Sequence, residues 1–90
     1  MSEITIKRLS EQEIVEKGIK SWPIWEKGIA TFEWYYDSTE ECLILEGEFE
    51  VKTKDKSYHL KAGDFVIFPQ GLSCVWEITK PVRKHFHFAN

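Results

Sequence analysis

The stretch Gly63-Asp64-Phe65-Val66-Ile67-Phe68-Pro69-Gln70-Gly71-Leu72-Ser73-Cys74 decides the fold. Its centre, Phe65-Val66-Ile67-Phe68, is a short apolar run bounded by turn residues, the pattern of a strand buried on both faces. Gly63-Asp64 opens it and Pro69-Gln70-Gly71 closes it, so the chain turns twice within twelve residues. The spacing is a glycine, five residues, Pro-x-Gly, two residues and a cysteine.

The same grammar extends in both directions. Downstream, residues 73–78 alternate, Pro81 resets the chain, and residues 82–88 form a last strand. Upstream, residues 58–60 form a strand after the polar turn Lys54-Asp55-Lys56. Glu48-Phe49-Glu50-Val51-Lys52 alternates with Phe49 and Val51 inward. Residues 42–45 are a continuous apolar run that ends in a turn at Glu46-Gly47, and residues 31–36 are an aromatic strand. Ile4-Thr5-Ile6 is a short strand candidate. Ser10 and Glu13 have capping-box spacing, opening a helix that runs to about Lys17 and stops at Gly18. Pro23 lacks an amide donor and holds Trp22 extended, so no helix continues there. Many short strands between Gly, Pro and Asp turns specify an all-β barrel or sandwich. Residues 1–27 form an arm with a short helix and residues 28–90 the barrel, one domain in all.

Composition narrows the function classes. The 90 residues are 42% hydrophobic and 30% charged, with net charge −3 and lysines scattered among glutamates, unlike the basic stripe of a nucleic-acid binder. No apolar run approaches a membrane span, and the first residues lack a signal-peptide stretch. The expectation is a cytoplasmic protein that binds neither nucleic acid nor membrane. Cys42 and Cys74 have no C-x-x-C spacing, which excludes a zinc ribbon or thioredoxin-like motif. Aromatic residues reach 14%, enough to fill a small core or to wall a ligand pocket.

With these turns placed, the chain resembles the cupin superfamily, small jelly-roll barrels also called double-stranded β-helices. One cupin motif runs Gly, five residues, His-x-His, three or four residues, Glu, six residues, Gly. Here Gly28, Glu40 and Gly47 keep that spacing, while Trp34 and Tyr36 stand at the two histidine positions. The second motif runs Gly, five residues, Pro-x-Gly, two residues, His, three residues, Asn. Gly63, Pro69 and Gly71 keep it, with Cys74 and Ile78 in the last two places. Trp22-Pro-Ile-Trp25, Trp34-Tyr-Tyr-Asp37, Leu45-Glu-Gly47 and Phe68-Pro-Gln-Gly71 are similar to one subgroup. That is the small cupin-3 domain, named for its occurrence in (S)-ureidoglycine aminohydrolase and similar to ethanolamine-utilisation cupins.

The resemblance implies a homodimer, with Trp22 and Trp25 as interface candidates or as covers for the barrel's end. It also implies a divalent metal (Mn, Fe, Ni or Zn) held by three histidines and a glutamate. The residues here argue against that metal. Only Glu40 and Cys74 are good ligands, Tyr36 is a rare one, and indole offers no lone pair. Glu40 is either a catalytic acid or base, or a carboxylate paired with a lysine or arginine. Cys74 is either a small buried hydrophobe or a thiolate activated by Arg83, Lys84 or His85. Cys42, two residues from Glu40, is expected to face the same interior; a Cys42–Cys74 disulfide is disfavoured in a reducing compartment.

Trp34, Tyr36 and Trp76 are either core filler or the walls of a pocket for a small, flat or cationic ligand. In His85-Phe86-His87 the histidines share the face opposite Phe86 and Phe88. They point outward if the phenylalanines fill the core; otherwise His85 enters the pocket. His59 is read as a surface residue. Two function classes follow. One is a metal-poor or metal-free barrel binding a small metabolite. The other is a small-molecule enzyme on ureido or amino compounds using Glu40 and Cys74.

Overall fold

A computed structural model describes residues 4–89. The strands are β1 (Thr5–Arg8), β2 (Ile24–Lys27), β3 (Ala30–Tyr35), β4 (Glu40–Lys52), β5 (Ser57–Lys61), β6 (Asp64–Phe68) and β7 (Ser73–Phe88), with one helix, α1 (Glu11–Glu16). All strand pairings are antiparallel and belong to one seven-stranded sheet. The architecture is all-β, as the turn pattern suggested, and is the jelly roll that the cupin resemblance implied.

β4 and β7 organise the sheet. They pair along most of their length, and each changes its other neighbour partway. The first half of β4 pairs with β6 and its second half with β5; the first half of β7 pairs with β3 and its second half with β2. At the changeover the β4–β7 register slips between Ile44 and Phe49. Gly47 there has φ +102°, and a Cβ on it would lie 2.2 Å from the Pro81 carbonyl oxygen. Glu46-Gly47 is therefore a bulge within one 13-residue strand, where the sequence suggested a turn between two. Pro81 likewise does not divide the last strands: β7 runs unbroken for 16 residues. It occupies the irregular stretch of the ladder, where a missing N–H costs least.

The halves fold toward one another around a core that contains Cys42, Ile44, Phe49, Val51, Val66, Phe68, Cys74, Trp76 and Ile78. Trp76 joins them, stacking on Phe49 at 4.2 Å and packing on Phe68 at 5.8 Å. A second cluster, Ile19, Leu43 and Phe65 with Leu9, Ile14, Trp22, Leu45 and Ile67, lies on the other face of β4 and β6. This explains the unbroken apolar runs. Cys42 and Ile44 pack inward while Leu43 and Leu45 pack under the N-terminal arm.

The arm itself is stapled down. The Ser10 amide donates to Glu13 Oε1 at 2.8 Å and the Glu13 amide donates to Ser10 Oγ at 3.1 Å, completing the expected capping box. β1 and β2 lie within the segment read as an arm and belong to the sheet; β2 was not apparent in the sequence. Trp22 stacks on His87 at 4.8 Å, and Trp25 packs edge-on against Trp76 at 5.7 Å. Both indoles thus serve packing within this chain. Among the described residues, no helix is long and apolar enough to cross a membrane.

Candidate functional site

The two glycine-bearing motifs are tied together by backbone. The Gly71 amide donates to the Tyr36 carbonyl at 2.7 Å, and the Tyr36 amide donates to the Leu72 carbonyl at 2.9 Å. Gly71 has φ +90°, a conformation that suits glycine. At the strand's other end Asp64 is buried, accepts the Lys61 amide at 3.0 Å and pairs with Arg8 Nε at 3.1 Å. β3 then lies against β7 in a register that sets Trp34 opposite Cys74.

A cavity of about 650 Å³ opens in this region. Its walls are mostly aromatic: Trp25, Phe32, Trp34, Tyr36, Trp76, Phe86 and Phe88. Five charged residues also line it: Glu40 and Lys84, both buried, and Glu26, Lys27 and Glu33, which are exposed. Lys84 Nζ donates to Glu40 Oε2 at 2.6 Å. The ammonium lies 4.8 Å from the Trp25 ring, 5.0 Å from Trp76 and 5.9 Å from Phe68. It is an internal cation in an aromatic cage, with a carboxylate as counter-ion.

The expected site residues divide. Trp34, Tyr36, Trp76 and Glu40 meet at this cavity. Trp34 is half exposed at its rim, while Tyr36 and Trp76 are buried. Burial raises the Tyr36 phenol well above its ordinary value, and Glu40 adds to the rise, so the hydroxyl stays protonated. The Trp76 indole Nε1 is buried without a full hydrogen bond among the described residues, but its N–H offsets part of the rise in the Tyr36 and Cys74 pKa values.

Three candidates lie outside this cavity: Cys42, which is corrected as a lining residue, and Cys74 and His85, each on one of the two readings left open for it. Cys42 faces inward but is fully buried and does not line the cavity; burial pushes its thiol up to about 12. Cys74 lines a separate hollow with Trp34, Tyr35 and Lys52, and burial pushes its thiol up to about 11. Its Sγ lies 3.7 Å from the Trp34 carbonyl, and the three basic residues offered as activators are engaged elsewhere: Lys84 with Glu40, Arg83 with Glu26 and His85 with the Trp22 carbonyl. Both cysteines are free thiols. His85 is buried on the face away from the cavity, where its ring Nδ1 lies 2.9 Å from the Trp22 carbonyl oxygen. Strand alternation explains this: Lys84, Phe86 and Phe88 take one face of β7, and His85 and His87 take the other. His59 is exposed and pairs with Glu48 at 3.0 Å.

Lys84 was visible as a basic residue near the site, but its inward direction was missed. Val82 and Phe86 supply the signal, since an apolar pair flanking a lysine at alternate positions carries the lysine inward with them. Trp25 was missed as a wall residue because β2 was not recognised; Phe32 lies on β3 at the same parity as Trp34 and Tyr36, and strand alternation would have found it.

The donor set does not fit the metal that a cupin barrel ordinarily holds. Trp34, Tyr36 and Cys74 fill the histidine positions, and Lys84 occupies the one retained carboxylate. Among the described residues no three of His, Cys, Asp or Glu come together as metal ligands.

A jelly roll built from these motifs, with its cavity between the two half-sheets, defines a cupin. The chain belongs to the family of EutQ-like cupin domains, whose model matches residues 15–86. It is similar to a DUF861 family protein of Thermotoga maritima, with 44% identity over 97% of this chain and all of that one and a TM-score of 0.94. It shares the fold of a putative ethanolamine utilization protein Q of Salmonella typhimurium: 23% identity over 92% of this chain and 66% of that one, TM-score 0.65. A cupin superfamily protein of Desulfitobacterium hafniense has the same fold at 13% identity, over 98% of this chain and 79% of that one, with a TM-score of 0.63. No curated protein matches the chain.

Proposed function

We propose that this cupin binds a small, flat molecule bearing a hydrogen-bond acceptor, using the Lys84 ammonium where other cupins use a metal cation. The observation that carries this reading is the Lys84–Glu40 pair within an aromatic-walled cavity. An ammonium has three donors, and among the described residues one is taken, by Glu40. The others are available to a ligand oxygen, while Trp and Phe faces stack its flat body. A cationic ligand, the other option raised by the aromatic content, would meet a like charge already seated on those rings.

The enzymatic alternative on ureido compounds is not favoured. It needs a reactive Cys74 beside Glu40, whereas Cys74 lines a separate hollow and its thiol is pushed up to about 11. The test is a tryptophan-fluorescence titration against flat carboxylates, amides and carbonyl compounds, with acceptor-free aromatics as comparators. Quenching by acceptor-bearing compounds, weakened about tenfold or more by Lys84→Met, is expected for the loss of a charged hydrogen bond. Equal quenching by acceptor-free aromatics, or none by any compound, would overturn the reading.

A further inference from the structure

Lys84 is the one buried lysine among the described residues; every other lysine side chain is exposed. Burying an ion pair rarely gains stability over apolar residues of similar size, so core packing alone does not account for Lys84 and Glu40 among Trp25, Phe68 and Trp76. What the arrangement does supply is a primary amine at a cavity wall, with a proton acceptor 2.6 Å away. Those are the parts for covalent capture of a carbonyl group.

We infer that the cavity accepts an aldehyde or ketone and that Lys84 Nζ forms an iminium with it, Glu40 carrying the proton. This rests on the binding reading above and specifies the acceptor as a carbonyl oxygen. Lys84 first passes a proton to Glu40 Oε2 along their hydrogen bond, which frees the nitrogen lone pair. That pair forms a C–N bond to the carbonyl carbon, and the C=O π pair moves to oxygen, which takes a second proton from nitrogen. Glu40 then returns its proton to the new hydroxyl. The C–O bond breaks, water leaves, and the nitrogen pair forms C=N. The nitrogen ends with one proton and a positive charge, and Glu40 ends ionised. No oxidant or reductant is consumed. The product keeps the charge pattern of the resting pair, so the aromatic cage and the carboxylate that hold the ammonium also hold the iminium. Glu40 is the sole acceptor bonded to Nζ among the described residues, which makes it the proton carrier.

The experiment is reductive trapping. The intact protein is incubated with benzaldehyde or pyruvate and cyanoborohydride, then weighed and mapped by mass spectrometry, with benzyl alcohol as a non-carbonyl control for binding. The expected result is an adduct on the peptide that contains Lys84, heavier by the carbonyl compound less one oxygen and formed ahead of those on the exposed lysines, Lys27 at the cavity included. Glu40→Gln slows its formation, and Lys84→Arg, which keeps the charge, abolishes it. Because the wild-type peptide map identifies the modified lysine, the test stands even if a variant fails to fold. Adducts spread over the exposed lysines with Lys84 unmodified would overturn the inference. If fluorescence shows benzaldehyde and benzyl alcohol binding equally while no adduct forms, the covalent step fails and the binding reading stands. Neither binding nor adduct with any probe sinks both.

Discussion

The Lys84 ammonium and the Glu40 carboxylate, 44 residues apart in the chain, meet at 2.6 Å with both side chains more than nine-tenths buried. They come from adjacent strands, β7 and β4, near the end of the ladder where Glu40 stands opposite Phe88. Removing one charge strands the other in an aromatic surround. Glu40→Ala is therefore expected to lower the unfolding free energy by about 3–5 kcal/mol. A Glu40→Leu/Lys84→Met double variant is expected to lie within about 1 kcal/mol of wild type or above it. Urea unfolding of Glu40→Leu, Lys84→Met and the double, read as a cycle, checks this; a double variant as weak as either single would show that the pair is not coupled.

The bend of the sheet depends on Gly47. Alanine there would sit in a left-handed conformation and meet the Pro81 carbonyl at 2.2 Å. Gly71 shares the positive φ, but an added Cβ meets nothing within 4 Å. Gly71→Ala should cost about 1–2 kcal/mol from backbone strain alone, and Gly47→Ala clearly more, since backbone must also move. Thermal melts of the two variants separate strain from collision. Equal losses would place the cost in φ alone.

The thiols make a pH prediction. Folding raises Cys42 from the ordinary 9.0 to about 12 and Cys74 from 9.0 to about 11. A group whose folded value is raised contributes its full stability below the unfolded value and loses it as pH climbs toward the folded one. Stability should thus fall from about pH 9 upward, with Tyr36 adding to the loss in the same direction. A Cys42→Ala variant should flatten that decline, as urea midpoints across alkaline pH will read. At neutral pH, iodoacetamide should leave both thiols unmodified in the folded protein and alkylate both in urea. Fast modification of Cys74 in the folded state would contradict its assigned burial.

His85 tests the division between the two faces of β7. His85→Ala removes a hydrogen bond to the Trp22 carbonyl and loosens the arm, at a cost of about 1–3 kcal/mol. Because the cavity lies on the opposite face, ligand affinity measured by calorimetry should be unchanged. A tenfold loss of affinity would place the histidine in the site after all.

Much of this fold was legible because turns are local. Pro69 fixes its own φ, Gly63 and Gly71 admit the positive φ their turns require, and Ser10 with Glu13 caps a helix within one turn. The double-sided burial of residues 42–45 was also legible as an unbroken apolar run. Glu46-Gly47 and Pro81 were misread as breaks because a bulge and a turn share the same residues. Only the partner strand, which continues past both, distinguishes them.

The site divides along the same line. Turn spacing matched to the cupin motifs was enough to identify the barrel, the loss of three histidine positions to Trp34, Tyr36 and Cys74, and the retention of Glu40. Those are statements about which residue stands at which turn-defined place, and short-range sterics suffice for them. That Glu40 faces Lys84, and neither Cys74 nor His85, emerged from the folded arrangement alone. That choice depends on the register of β4 against β7. A shift of one residue would carry His85 inward and Lys84 out. Register is fixed by the whole buried face, so no local reading of residues 82–88 could settle which charge reached the cavity.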